Sequence, residues 1–348
     1  MYTNPAEIIG WTGLDQHDTG LLNQPGLPSF MELVHSAIAG QLDLSFTGLV
    51  NVFLTITFQE LLVSGYLMRQ LLVIAILGAL MSVLTEAFTH KGANETGFYV
   101  TYIMAAALAI SSFYVAVDVL TSLVARVDLI MTASIPMIMG LMTMGGNFLG
   151  AAGFQPLLFS ALHIMSWFVG SVFVPLVLAS AGLDIASRLS GEGAKLDMLA
   201  DITAKVASWT LKGIVAVFIF LLTIQRVTAP ILTNVALQTS RNVVGAVPVV
   251  GDAFTAAMDT VINFSGAARS GVLVALVLVL CGALIAPLIK IIVLAGIYRL
   301  VAAFLQPVAD KRLVGMMECV GKHLGLMFQA AGLVGVMCIY TVILLLSF

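Results

Sequence analysis

The chain has 348 residues, of which 60% are hydrophobic and only 9% are Asp, Glu, Lys or Arg, against roughly 25% charged in an average soluble protein. That excludes a soluble fold and leaves one polytopic domain, since eight helices of about 20 residues would use roughly 160 residues and leave the rest for loops and surface helices. The formal net charge of −3 and the thin spread of the 15 basic residues exclude an electrostatic footprint for nucleic acid.

Residues 1–43 differ from the rest: they carry Pro5, Pro25, Pro28 and the acids Glu7, Asp15, Asp18, Glu32 and Asp43, with no Lys or Arg. They read as a polar extracytoplasmic lead-in, because a signal peptide needs a basic n-region and an apolar h-region. From residue 44 to 348 the chain reads as a single all-α, multi-pass membrane domain. Spans are expected near 45–65, 68–88, 97–119, 129–147, 156–182, 207–227, 270–290 and 324–347, about seven or eight crossings in all. Thr55, Thr57, Gln59 and Glu60 lower the hydropathy of the first. Gly145, Gly146, Asn147, Gly150, Gly153, Gln155 and Pro156 form the turn-forming cluster at which a helical hairpin should bend.

Three segments fit neither span nor simple loop. Residues 192–206 place Leu196, Leu199, Ile202 and Val206 at helical spacing, with Asp197, Asp201 and Lys205 on the other side. They predict a cytoplasmic amphipathic helix with an Asp201–Lys205 pair, either solvated at the interface or docking a partner. Residues 291–305 follow Pro287 and read as a kinked continuation along the inner interface. Residues 242–264 are a re-entrant or interfacial candidate. Gly245, Pro248 and Gly251 oppose a continuous helix, after which Asp252, Asp259 and Asn263 share one helical face and Phe254, Val261 and Phe264 the opposite one. Non-helical backbone at membrane depth survives only where it is buried in protein or lines water.

Lysine and arginine favour the cytoplasmic side of short loops. With the N-terminus outside, Arg69, Arg126, Arg188, Lys195, Lys205, Lys212, Lys290, Arg299, Lys311, Arg312 and Lys322 fall inside, against Lys91, Arg226, Arg241 and Arg269 outside. The expectation is an extracytoplasmic N-terminus and C-terminus.

Ionisable residues within spans are functional candidates, because an uncompensated charge in hydrocarbon costs several kcal/mol. Glu60, Asp118, His163 and Lys290 are the intramembrane polar candidates. Asp118 lies close enough to a span end to reach the headgroups, and so does Glu86. Glu60 either crosses with its helix or lies on the outer surface, and His163, one turn from Trp167, is a packing histidine or a proton relay. The pore and loop candidates are Gly245, Pro248, Gly251, Asp252, Asp259 and Asn263. Gly146-x-x-x-Gly150 and Gly321-x-x-x-Gly325 permit close helix approach, but such spacings arise readily among 31 glycines.

No phosphate loop, dinucleotide fingerprint or nucleophile elbow occurs. The histidines His17, His35, His90, His163 and His323 are scattered, and Cys281, Cys319 and Cys338 form no CxxC and read as packing residues. The expectation is no enzyme, no metal and no cofactor, with any ATP hydrolysed by another subunit.

The run Pro248-Val-Val-Gly251, then Asp252-Ala and Met258-Asp259-Thr-Val261, resembles the stage III sporulation protein AE family of endospore-forming bacteria. So do Pro287-Leu-Ile-Lys290, Ile297-Tyr-Arg-Leu300, Ala302-Ala303 and Pro307-Val-Ala-Asp310-Lys-Arg312, with Pro136 and Trp209-Thr-Leu-Lys-Gly213 upstream in the family's order. The resemblance implies a multi-pass protein of the mother-cell membrane around the forespore. It further implies a membrane-embedded subunit of a sporulation channel or secretion-like apparatus, forming or gating a conduit. Implied partners are the other proteins of the stage III sporulation A operon, including a separate ATPase and ring-forming membrane proteins, and further copies in a homo-oligomer. A self-contained secondary transporter of a small solute and a non-conducting assembly scaffold are the alternative readings.

Overall fold

The computed structural model describes residues 46–87, 91–144, 160–190, 196–244, 250–307 and 309–346. Gly245 and Pro248, the residues 1–43 and the glycine-rich bend at 145–156 lie outside the described residues. Within them the chain is helical and contains no strand. In chain order α1 is Phe46–Ala87, α2 is Lys91–Met144 and α3 covers 160–190. After these come α4, Leu196–Val244, α5, Val250–Leu305, and α6, Lys311–Leu346. Among the described residues five stretches are long and apolar enough to cross a membrane: Thr96–Ser134, Ser160–Leu189, Met198–Leu221, Gly271–Leu305 and Lys311–Ile343.

The all-α expectation holds, but the division into seven or eight short spans does not reappear. The spans expected at 45–65 and 68–88 fall in the 42 residues of α1. Those at 97–119 and 129–147 share α2, whose 54 residues extend about 80 Å at 1.5 Å per residue. Between the two expected spans Arg126 is exposed and Asp128 half-buried on an unbroken helix. Residues 196–206 run without a break into the span after them.

Residues 291–305 are likewise the end of α5, where Ile291, Ile297, Tyr298, Val301 and Leu305 are buried. Pro287 sits inside this helix without ending it.

Proline has a larger effect in α3. The helix passes through one π-helical turn, Val169–Phe173, before resuming as Val174–Ser190. Pro175 has no N–H to give Ser171 and its ring crowds that carbonyl, and the wider turn relieves the clash. The Val174 N–H reaches Val169 O, five residues back.

Apolar residues at intervals of three and four bury one stripe of each helix. On α2 these are Tyr102, Ala105, Ala109, Phe113, Ala116, Leu120 and Leu123, and on α6 Met316, Val320, Leu324, Met327, Ala331 and Val334. Helix α6 packs on α5, α2 and α3; α1 packs on α2 and α5, and α3 on α4. On α1, Leu54, Phe58, Leu62, Val63 and Tyr66 point outward, as an apolar surface meant for lipid or another chain would.

The α5–α6 seam is close because glycines line it. A Cβ on Gly321 would lie 2.7 Å from Arg299 Cγ and 3.2 Å from the Ala295 carbonyl, and one on Gly335 would lie 2.8 Å from Leu284. Gly325 faces Arg299 as well. The Gly321-x-x-x-Gly325 spacing, uninformative as a pattern, is therefore a packing face, as small residues at membrane helix interfaces are.

A charged mouth at one end of the bundle

Helices α2, α3, α4, α5 and α6 bring polar residues together at the end of the bundle that carries the α5–α6 turn. Local sequence explains much of this. Pro307 stops α5, and Asp310 opens α6: its Oδ1 accepts the Arg312 N–H at 2.8 Å, while its carbonyl accepts from Leu313 and Val314. This is the N-cap geometry that Asp provides for otherwise unpaired first-turn donors. The cap fixes Arg312, whose guanidinium lies 4.1 Å from the centre of the Phe98 ring on α2, a cation–π contact.

Deeper in lies a buried polar cluster. The Cys319 thiol donates to Asp184 Oδ2 at 2.8 Å. On the other oxygen of Asp184, Arg188 Nε stands 3.3 Å from Oδ1, one helical turn along α3. This contact is close enough for an ion pair but not aligned as a hydrogen bond, for Arg188 Nε has no hydrogen-bond partner among the described residues; we treat it as charge pairing. His323, 1% exposed, has Nδ1 2.9 Å from the Cys319 carbonyl and 3.4 Å from its sulfur. Its Nε2 is 2.9 Å from Ser180 Oγ, which donates to the Ala200 carbonyl on α4 at 2.8 Å. The donor atoms of Asp184, Cys319 and His323 all lie within 4.8 Å of one another. Tyr102 ties α2 in by donating to the Ile185 carbonyl at 2.6 Å.

Above this cluster a cavity of about 1220 Å³ opens outward, lined among others by Asp184, Arg188, Asp201, Arg299, Glu318 and Lys322. Lys322 reaches Asp201 at 3.4 Å, whereas the sequence had suggested Lys205 as the partner of Asp201. The arrangement can hold an anionic or zwitterionic group against its arginines, and it joins α2 to α6 by polar contacts that lipid cannot replace.

The residues expected to matter from sequence are placed elsewhere. Gly251, Asp252, Asp259 and Asn263 lie in the first turns of α5, at the opposite end of that helix from the mouth. Glu60 is half-buried on α1 and accepts from Ser64 Oγ at 3.3 Å. Asp118 is exposed, and Lys290 is half-buried on α5. His163 is exposed rather than packed, with Nδ1 3.4 Å from Asp128 Oδ1. These two border a cavity of about 470 Å³ that also reaches Cys338.

Asp184, Arg188, Cys319 and His323 were not singled out. The available signals were a Cys and a His four residues apart on one helix and an Asp and an Arg four apart on another. Nothing in either pair shows that the two helices meet.

A family model described as Stage III sporulation protein AE matches residues 28–348. The chain is 27% identical over 330 residues to the Stage III sporulation protein AE of Bacillus subtilis (strain 168), an alignment covering 94% of this chain and 81% of that protein. No solved structure matches.

Proposed function

The chain belongs to the stage III sporulation protein AE family, and on that premise we propose that it is the membrane-embedded subunit of an apparatus joining mother cell and forespore, in which several copies form or gate a conduit. The observation that carries the reading is the charged mouth, open at one end of a bundle whose described core is mostly apolar. Away from the mouth the fully buried polar groups of the described residues include Ser112, Ser134 and Thr341 but no charged side chain, which suits a subunit that works with others better than a self-contained transporter with an ion-coupled solute site at mid-depth.

Basic residues support an orientation. Arg188, Arg299, Lys311, Arg312 and Lys322 belong to the mouth end, so in this reading that end faces the mother-cell cytoplasm and both termini face away. The other proteins of the stage III sporulation A operon are the partners, and a separate ATPase among them supplies energy, since the chain has no phosphate-binding loop. The outward apolar face of α1 is available to lipid or a second copy. The segment 242–264, with Gly245, Pro248, Gly251, Asp252, Asp259 and Asn263, is the proposed pore or gate, and residues 192–206 the proposed cytoplasmic amphipathic element.

The test replaces the chromosomal copy in a sporulating host and compares spore yield with membrane abundance. Gly251→Leu and the pair Asp252→Asn with Asp259→Asn should reduce spore yield at unchanged abundance. Normal spore yield for both at normal abundance would make the segment a connector and return the scaffold reading. The orientation is checked by cysteines placed at Gly191 and Gly20, of which only the second should react with an impermeant maleimide in intact cells.

A further inference from the structure

We propose that Asp184, Cys319 and His323 form a binding site for a divalent transition metal of zinc type. The inference does not depend on the conduit reading. Thiolate, imidazole and carboxylate are the ligand set that Zn²⁺ takes. Here Cys319 and His323 come from adjacent turns of α6, and Asp184 from α3.

The distances are close to those a metal needs. Bond lengths of about 2.0 to 2.3 Å at a tetrahedral ion put neighbouring ligand atoms about 3.5 Å apart. Sulfur and Nδ1 are already 3.4 Å apart. Sulfur and Asp184 Oδ2, at 2.8 Å, are drawn together around the thiol proton. Replacing that proton with a cation requires them to part by less than an ångström. The proton leaves to solvent, and one thiolate with one carboxylate balances the charge of a divalent ion.

The hydrogen bonds around His323 are compatible with a metal. With the Ser180 hydroxyl donating to the Ala200 carbonyl, its oxygen can accept from the Nε2–H of His323. In that tautomer Nδ1 is left to bind a cation beside the Cys319 sulfur, 3.4 Å away, in place of its 2.9 Å contact with the Cys319 carbonyl. Metal-binding histidines are held in the same manner, by a hydrogen bond from the ring nitrogen that does not bind the metal. Arg188 beside Oδ1 fixes the carboxylate and leaves Oδ2 toward the sulfur. Asp184 and Cys319 also line the open cavity, which provides the entry path and room for a fourth ligand.

The experiment titrates the full chain, purified in detergent and stripped with a chelator, with Co²⁺ as the probe. A thiolate-to-cobalt charge-transfer band should saturate at one equivalent per chain and be bleached by Zn²⁺. Cys319→Ser should abolish it, Ser180→Ala should weaken binding about 10-fold to 100-fold, and Cys281→Ser should leave it unchanged. No band in the unsubstituted chain, or a band that survives Cys319→Ser, overturns the proposal. A second measurement avoids altering the site: in a chain carrying Cys281→Ser and Cys338→Ala, Zn²⁺ should slow maleimide labelling of Cys319 at least tenfold. An unchanged labelling rate would also overturn it.

Discussion

Helix α6 is held in two different ways along its length. Against α5 it packs through absence: Gly321, Gly325 and Gly335 have no side chains, and Arg299 and Leu284 occupy the space. At its first turn it is held through functional groups, with Asp310 capping it and Arg312 reaching Phe98 on α2. The difference follows from the solvent. Lipid tails are as apolar as leucine, so within the membrane helices gain by close packing, and small residues at the contact let the backbones approach. Where the helices emerge, polar contacts compete with water and each is worth less.

The largest effect should therefore come from volume in the seam. Gly321→Leu must push apart Arg299 Cγ and the Ala295 carbonyl, and overpacking of this kind costs about 1 to 3 kcal/mol. Membrane abundance and the thermal midpoint in detergent should both fall. Gly296→Ala, on the same helix pair but with open space around it, should be neutral or slightly stabilising. If both glycines behave alike, the seam is not set by close packing.

Next comes the cap. Asp310→Ala leaves first-turn donors of α6 unpaired and should cost about 1 kcal/mol, with Asp310→Asn recovering most of it. Smaller again is the buried contact between Tyr298 and Ser112. The hydroxyls are 2.8 Å apart, and Ser112 donates onward to the Leu108 carbonyl. A double-mutant cycle with Tyr298→Phe and Ser112→Ala should give a coupling of about 0.6 kcal/mol, the average for such bonds in a membrane protein. The smallest effect is expected for Lys322→Gln, since its pair with Asp201 is exposed on both sides and such pairs contribute about 0 to 1 kcal/mol. A large loss there would show that the mouth is not open to solvent.

Much of the fold was legible because an apolar helix declares itself by composition. Helix continuity was less so. The spans expected at 97–119 and 129–147 are separate in the sequence, whereas on α2 Arg126 is exposed, Asp128 is half-buried and the helix runs on. Pro287 was read as a kink that redirects the chain, yet the helix absorbs it. The candidate site was hidden for a different reason. A histidine scattered in sequence is judged alone, and His323 acquires its meaning only from Ser180 and Asp184, which belong to a helix more than a hundred residues earlier. Polar residues 252–263 stood out because they were adjacent in the chain, and adjacency is the one relation a sequence displays directly.

The π-helical turn at Val169–Phe173 gives α3 a phase as well as a shape. Each residue advances a helix by about 100°, so the extra residue in that turn rotates everything after it relative to everything before. Leu162 and Met165 are buried ahead of the turn, and Ser180, Asp184 and Ser187 after it. Shortening the turn by one residue would leave the length of α3 almost unchanged but would turn the stripe that carries Ser180 and Asp184 out of line with His323. In this helix a one-residue deletion acts as a rotation, and the sites on either side of Phe173 can stay in register with their neighbours only while the count between them is kept.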